Sequence, residues 1–155
     1  MHSDKFDLEI LQLLEKNSRL SWRELGEKVN LSASSCQRRV QALQEKGIIR
    51  HFTTACDYVS LGFDVKAFVE VKINRHDNKV TQQFKDAVIQ YPEVISCHKI
   101  TGNIDFILEV IAKDLRSFGL FIEKKILYLP GVIDASSTMV LEDLKLHGQA
   151  VKYQG

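Results

Sequence analysis

Two places in this 155-residue chain bring together side chains whose types and spacing suit chemistry. The first is SASSCQRRVQ, residues 32–41: short hydroxyls, then glutamine, two arginines and another glutamine. Ser32 is placed to cap a helix, and a helix N-terminus presents free amides to an anion such as phosphate. Ser34, Ser35, Gln37, Arg38 and Gln41 are then candidates to face double-stranded DNA, while Cys36, Val40 and Leu43 face a core. Arg39 either binds a phosphate with them or anchors the helix; spacing alone leaves both open. The plain alternative for the whole stretch is a structural helical bundle that never touches DNA.

The second place is TGNIDF, residues 101–106. Its plain reading is a β-turn, since Gly and Asn favour turns for backbone reasons. Its functional reading is a loop in which Thr101, Gly102, Asn103 and Ile104 present backbone amides and Asp105 accepts from an ammonium group, the two partners a zwitterionic ligand needs. Ser136, Ser137 and Thr138 either decorate a solvated strand face or line a pocket at an interface. His98 beside Cys97 raises metal or haem, but a lone strand histidine is more often simply exposed or hydrogen-bonded. The chain holds no Ser/His/Asp set, paired catalytic carboxylates, HExxH or P-loop, so nothing recommends an enzyme.

Composition narrows the class. A chain 45% hydrophobic and 26% charged can bury a core. Its net charge of +1 argues for no partner, but 31–51 carries Arg38, Arg39, Lys46 and Arg50 against Glu45 alone. Positive charge thus coincides with the candidate DNA-facing helix, though mildly. Cys36, Cys56 and Cys97 are odd in number and widely spaced, which suits reduced thiols. With no CxxC or CxxH pair a zinc site is not expected, and no cofactor is implied. MHSDKFDLEI lacks the basic region and apolar run of a signal peptide, and no apolar stretch approaches the ~20 residues of a membrane span. The expectation is a soluble, cytoplasmic protein.

The elements that must position these residues follow from periodicity. Ser3 or Asp4 caps a first helix with Phe6, Ile10, Leu13 and Leu14 on its apolar stripe, widened by Leu8 and Leu11. Ser21 with Glu24 is a capping box for a second helix carrying Leu25 and Val29. The third, capped by Ser32, ends at Lys46-Gly47, where glycine takes the left-handed conformation. A turn this tight between the second and third helices predicts a helix-turn-helix. Residues 48–55, β-branched and aromatic, predict a strand that forms a wing or a tether.

From Phe63 the pattern alternates. Strands are expected at 65–73, 94–101, 104–112 and 132–144, with helices starting near Asp77-Asn78 and, capped by Asp114, running through Ile126. Two strand-helix-strand units predict a ferredoxin-like βαββαβ sandwich, with both helices on one face of an antiparallel sheet. The other face then needs a cover, which predicts a homodimer. The fold class expected is α+β: an N-terminal (winged) helix-turn-helix domain at 1–55, a linker at 56–62, and the ferredoxin-like domain at 63–155.

Four segments in order resemble the Lrp/AsnC (feast/famine) family of transcriptional regulators. They are Asp7-x-x-Ile10-Leu11-x-x-Leu14 with Arg19-Leu20-Ser21 and Glu24-Leu25; then Leu31-Ser32-x-Ser34-x-Cys36-x-x-Arg39-Val40-x-x-Leu43-x-x-x-Gly47-Ile48-Ile49; then Gly102-x-x-Asp105-Phe106-x-Leu108; then Leu129-Pro130-Gly131-Val132. The resemblance implies a DNA-binding regulator that pairs through its C-terminal sheets, commonly forms octamers, and binds a small molecule, typically an amino acid, between dimers. It implies ligand contacts from Gly102 and Asp105, a loop shaped by Thr101, Asn103 and Ile104, and a pocket hydroxyl at Ser137. Ala135 stands where a threonine is frequent in ligand-responsive members, and Ala33 where a proline often starts the recognition helix. Two alternatives remain: a haem-pathway decarboxylase on the same architecture, or a DNA-binding regulator that needs no ligand.

Overall fold

A computed structural model describes residues 4–74 and 78–146. The expected helix starts at Ser3 and Asp77 lie outside the described residues. The described residues divide into two compact units, 4–55 with 145–146, and 56–144.

The first unit holds α1 (Lys5–Lys16), α2 (Trp22–Val29) and α3 (Ala33–Glu45). Each opens on a side-chain cap. Asp4 accepts from the Phe6 amide, Ser21 and Glu24 bond each other's backbone amides, and Ser32 accepts from Ser35. Ends that local sequence satisfies in this way fix where each helix begins. α2 stops at Asn30, in the left-handed conformation at φ 55°, and α3 stops before Gly47 at φ 69°. Ile10, Leu14, Leu25, Val29, Cys36, Val40 and Leu43 form one buried cluster. Gly26 lets α2 close on the turn that follows: a Cβ there would collide with the Leu31 carbonyl oxygen. The Leu31 amide donates to Gly26 O at 3.0 Å across that approach.

Residues 48–55 are not a strand. Only 48 and 49 remain tied to the helix end, both amides donating to Leu43 O. A strand exists by virtue of a hydrogen-bonded neighbour, and no described segment of the chain pairs with 50–55.

The second unit is a four-stranded antiparallel sheet in the order β2-β3-β1-β4. The strands are β1 (Val65–Ile73), β2 (Val94–Lys99), β3 (Phe106–Ala112) and β4 (Val132–Met139). α4 (Asn78–Val88) and α5 (Leu115–Phe121) cover one face. Val65, Ala67, Val69, Val71 and Ile73 point into that core with Phe84, Phe118, Phe121 and Ile126. Phe84 meets Phe106 with ring centroids 4.8 Å apart, tying α4 to the sheet.

β2, β3 and β4 are shorter than 94–101, 104–112 and 132–144. The β2–β3 ladder stops at Lys99 and Phe106, so Ile104 and Asp105 belong to the turn, and the ladder to β1 ends at Met139. α5 does not run on as an α-helix to Ile126: Ile122–Ile126 wind as a π-helix, which puts Ile126 fully into the core. The open face of the sheet is more polar than a bare apolar surface. Lys66 there stands between Glu109 (2.9 Å) and Asp143 (2.8 Å), so the segment after β4 folds back over part of it. Ile111 on that face is buried, while Phe68 remains 40% exposed.

Gly131 has φ 77°, and a Cβ at that position would run into Val80 Cγ1. Its carbonyl also accepts from the Asn74 amide at 2.8 Å. Gly131→Ala should therefore destabilise the chain by about 2–4 kcal/mol, combining left-handed strain with overpacking. Urea unfolding checks this. Adding Val80→Ala should recover the steric part and leave the backbone part; a Gly131→Ala chain as stable as the parent would show the turn to be slack.

Candidate nucleic-acid interface and ligand cavity

α3 separates its faces cleanly. Cys36, Val40 and Leu43 are buried, and Ser34, Gln37, Arg38 and Gln41 are exposed. The exposed four stand at i, i+3, i+4 and i+7, one stripe along the helix. Ser32 holds the start of that stripe, its Oγ also lying 3.1 Å from Ser34 Oγ; Ser35 is half-buried. Gln41 Nε2 donates to Glu45 Oε1 at 3.1 Å, so its amide is oriented along the helix in the free chain. Burial raises the Cys36 thiol above its ordinary pKa, which keeps it protonated and inert.

Arg39 makes its contacts within the first unit. Its Nη1 donates to Asp7 Oδ1 at 2.8 Å, and its Nη2 to Asp4 Oδ2 at 2.9 Å. The guanidinium also lies over the Phe6 ring, 5.4 Å from its centroid. It is an anchor between α3 and the start of α1, because a planar fork suits two carboxylates better than one phosphate at the surface. The Phe6 amide, then Arg39, hold the Asp4 carboxyl below its ordinary pKa, and Asp7, then Asp4, raise that of Arg39.

In the second unit a cavity of about 320 Å³ opens at the ends of β1 and β2. Its lining includes Thr101, Gly102 and Asp105 from the β2–β3 turn, joined by Ile73, Asn78, Thr81, Lys99, Ile100 and Phe106. Asn103 and Ile104 shape the same turn without lining the cavity. Ser137 does not line it either. Ser137 pairs with Val69, four residues along β1 from Ile73, or about 13 Å by strand rise. Sequence reading missed Lys99, Ile100 and Phe106 beside the turn and the lining residues from β1 and α4, since only the strand register and the helix placement bring the latter to the turn. The i, i+3 spacing of Asn78 and Thr81 on a helix was the one available signal.

Asp105 lines the cavity and also holds the turn in place. It is 4% exposed, and its Oδ2 accepts from the Ile73 amide at 2.9 Å. Its own amide donates to Val71 O, and its carbonyl accepts from Ile100. The residue ties the turn to the end of β1, so this carboxylate oxygen is already engaged by the backbone. Gly102, at φ 121°, supplies the conformation that lets the chain reverse between Thr101 and Asp105.

These geometries meet two family profiles. A winged helix-turn-helix DNA-binding profile matches residues 3–50, and the Lrp/AsnC ligand binding domain matches residues 66–150. The chain belongs to the Lrp/AsnC family. It is 33% identical to the Bkd operon transcriptional regulator of Pseudomonas aeruginosa, over 92% of this chain and 94% of that one. It is 32% identical to the leucine-responsive regulatory protein of Escherichia coli K12, covering 96% and 90%. Among solved structures, a transcriptional regulator of Neisseria meningitidis in complex with L-Met superposes with a TM-score of 0.88 at 36% identity, each chain covered to 94%. The family thus identifies a transcriptional regulator with a DNA-binding and a ligand-binding domain. No helix among the described residues is long and apolar enough to cross a membrane.

Two adjacent arginines should separate by experiment. Arg39→Met should lower the stability of the first unit by about 1–3 kcal/mol, as losing charged hydrogen bonds does, and Arg38→Ala should leave it unchanged. The Asp4 carboxyl is depressed, so its contribution is full above its ordinary value of 3.8 and is lost as pH falls through the lower folded value. That acid loss should shrink in the Arg39→Met chain without vanishing, because the Phe6 amide remains. Melting curves between pH 2 and 7 test both; equal destabilisation by the two substitutions would remove the anchor.

Proposed function

We propose that this chain is a sequence-specific DNA-binding regulator that reads a two-fold site as a homodimer or larger homo-oligomer, in the cytoplasm, and responds to a small molecule. The observation that carries the DNA reading is the exposed stripe Ser34, Gln37, Arg38 and Gln41 on α3. Such a stripe suits the major groove, where arginine and glutamine can meet base edges and short hydroxyls can meet phosphates. Support for pairing comes from the open sheet face, with Phe68 partly exposed among Lys66, Glu70 and Lys72. Support for an effector comes from the cavity at the β2–β3 turn and from the likeness to a regulator solved with L-Met.

Fluorescence anisotropy with DNA from upstream of the chain's own gene tests the reading. Binding should weaken steeply as salt rises. Arg38→Ala should weaken it further and flatten the log–log salt slope by about 0.9 per bound subunit. Absence of salt-sensitive binding on every upstream fragment, with the Arg38→Ala chain indistinguishable, would count against DNA recognition by α3.

A further inference from the structure

The cavity at the ends of β1 and β2 carries an asymmetry of charge. Its described charged side chains are Lys99 and Asp105. Asp105 is buried and its Oδ2 receives the Ile73 amide. Lys99, the last residue of β2, is exposed and forms no ion pair with a described residue. It pairs across the ladder with Phe106, whose side chain is in the helix-covered core, so Lys99 also stands on the helix side of the sheet, lining the cavity with Asn78 and Thr81 of α4. The rest of the described lining is neutral: the Asn78 amide, the Thr81 and Thr101 hydroxyls, and the apolar edges of Ile73, Ile100 and Phe106.

A ligand entering such a cavity meets an available cation and a carboxylate already engaged. We propose that Lys99 is a specificity residue, and that the cavity prefers a small carboxylic acid with net negative charge: an acidic amino acid or a 2-oxo acid. The proposal rests on the reading of this cavity as the effector site. An ammonium group donates to a carboxylate in a charge-assisted hydrogen bond, about twice as strong as a neutral one. The Thr101 hydroxyl and the Asn78 amide supply further donors and acceptors for carboxylate or carbonyl oxygens. A volume of about 320 Å³ lies at the small end of the ~300–1,000 Å³ typical of small-molecule sites, which suits a metabolite-sized acid.

Isothermal titration of the full chain with L-glutamate, L-aspartate, 2-oxoglutarate, L-leucine, L-methionine and L-lysine tests the proposal, with melting temperature followed in parallel. The acids should bind about tenfold or more tighter than the neutral amino acids. Lys99→Ala should lose about that factor for the acids and less for the neutral amino acids, and Lys99→Arg should keep the preference. The two acid types distinguish a retained ammonium from its replacement by a keto group. If leucine or methionine binds as well as the acids, and equally in the Lys99→Ala chain, the effector reading stands and the role of Lys99 is overturned. If none of the compounds binds either chain, both fall.

Discussion

β1 is the strand on which the second unit depends. It is paired on both sides, with β3 along Val65 to Val71 and with β4 from Ala67 to Ile73. Its side chains alternate so regularly between core and open face that a one-residue slip would put Lys66, Glu70 and Lys72 into the core. The ladder to β4 shifts register between Lys72 and Ile73, and on the β3 side the Ile73 amide goes to Asp105. A buried amide left without a partner costs about 1–3 kcal/mol, so the turn that supplies the carboxylate is fixed by the strand it completes. The cavity lies against this join. Its shape is therefore a consequence of how β1 ends.

The first unit has a comparable constraint in Arg39. Three short helices bury seven residues in their cluster, a small core for holding a recognition helix at a fixed angle. The guanidinium adds a joint between α3 and the N-terminus of α1 that apolar packing cannot supply. The consequence for DNA binding is a subtraction. With Arg39 engaged, residues 31–51 keep Arg38, Lys46 and Arg50 against Glu45. A helix with so little free charge holds DNA weakly alone, and linking copies raises occupancy through effective concentration.

Features decided within a few residues were legible. Ser21 with Glu24, Ser32 with Ser35, and Gly47 after α3 are local devices, and each stands where the sequence placed it. The alternation of β1 was equally plain, because a central strand with one covered face leaves a period of two. Features decided across the chain were not. Arg39 meets Asp7 from 32 residues away, and Lys66 meets Asp143 from 77. Asp105 looked like a ligand group because its type fits an ammonium; its burial and its bond to Ile73 depend on sheet register. Nothing in IEKKI distinguishes a π-helix from an α-helix. Residues 50–55 have strand composition without a partner in the described chain, which composition cannot reveal.

The cavity and the DNA-facing helix lie in different units, which restricts how one can influence the other. An effector shifts an equilibrium only by the ratio of its affinities for the two states. A tenfold ratio is worth about 1.4 kcal/mol. That is too little to remodel a core held by Phe84, Phe106 and Ile126, but it is enough to change how copies of a chain associate. In the β2–β3 turn Gly102 takes the left-handed conformation, while Asp105 holds the turn's base to β1. Under the proposed pairing, a small change in the number of linked copies would produce a larger change in DNA occupancy.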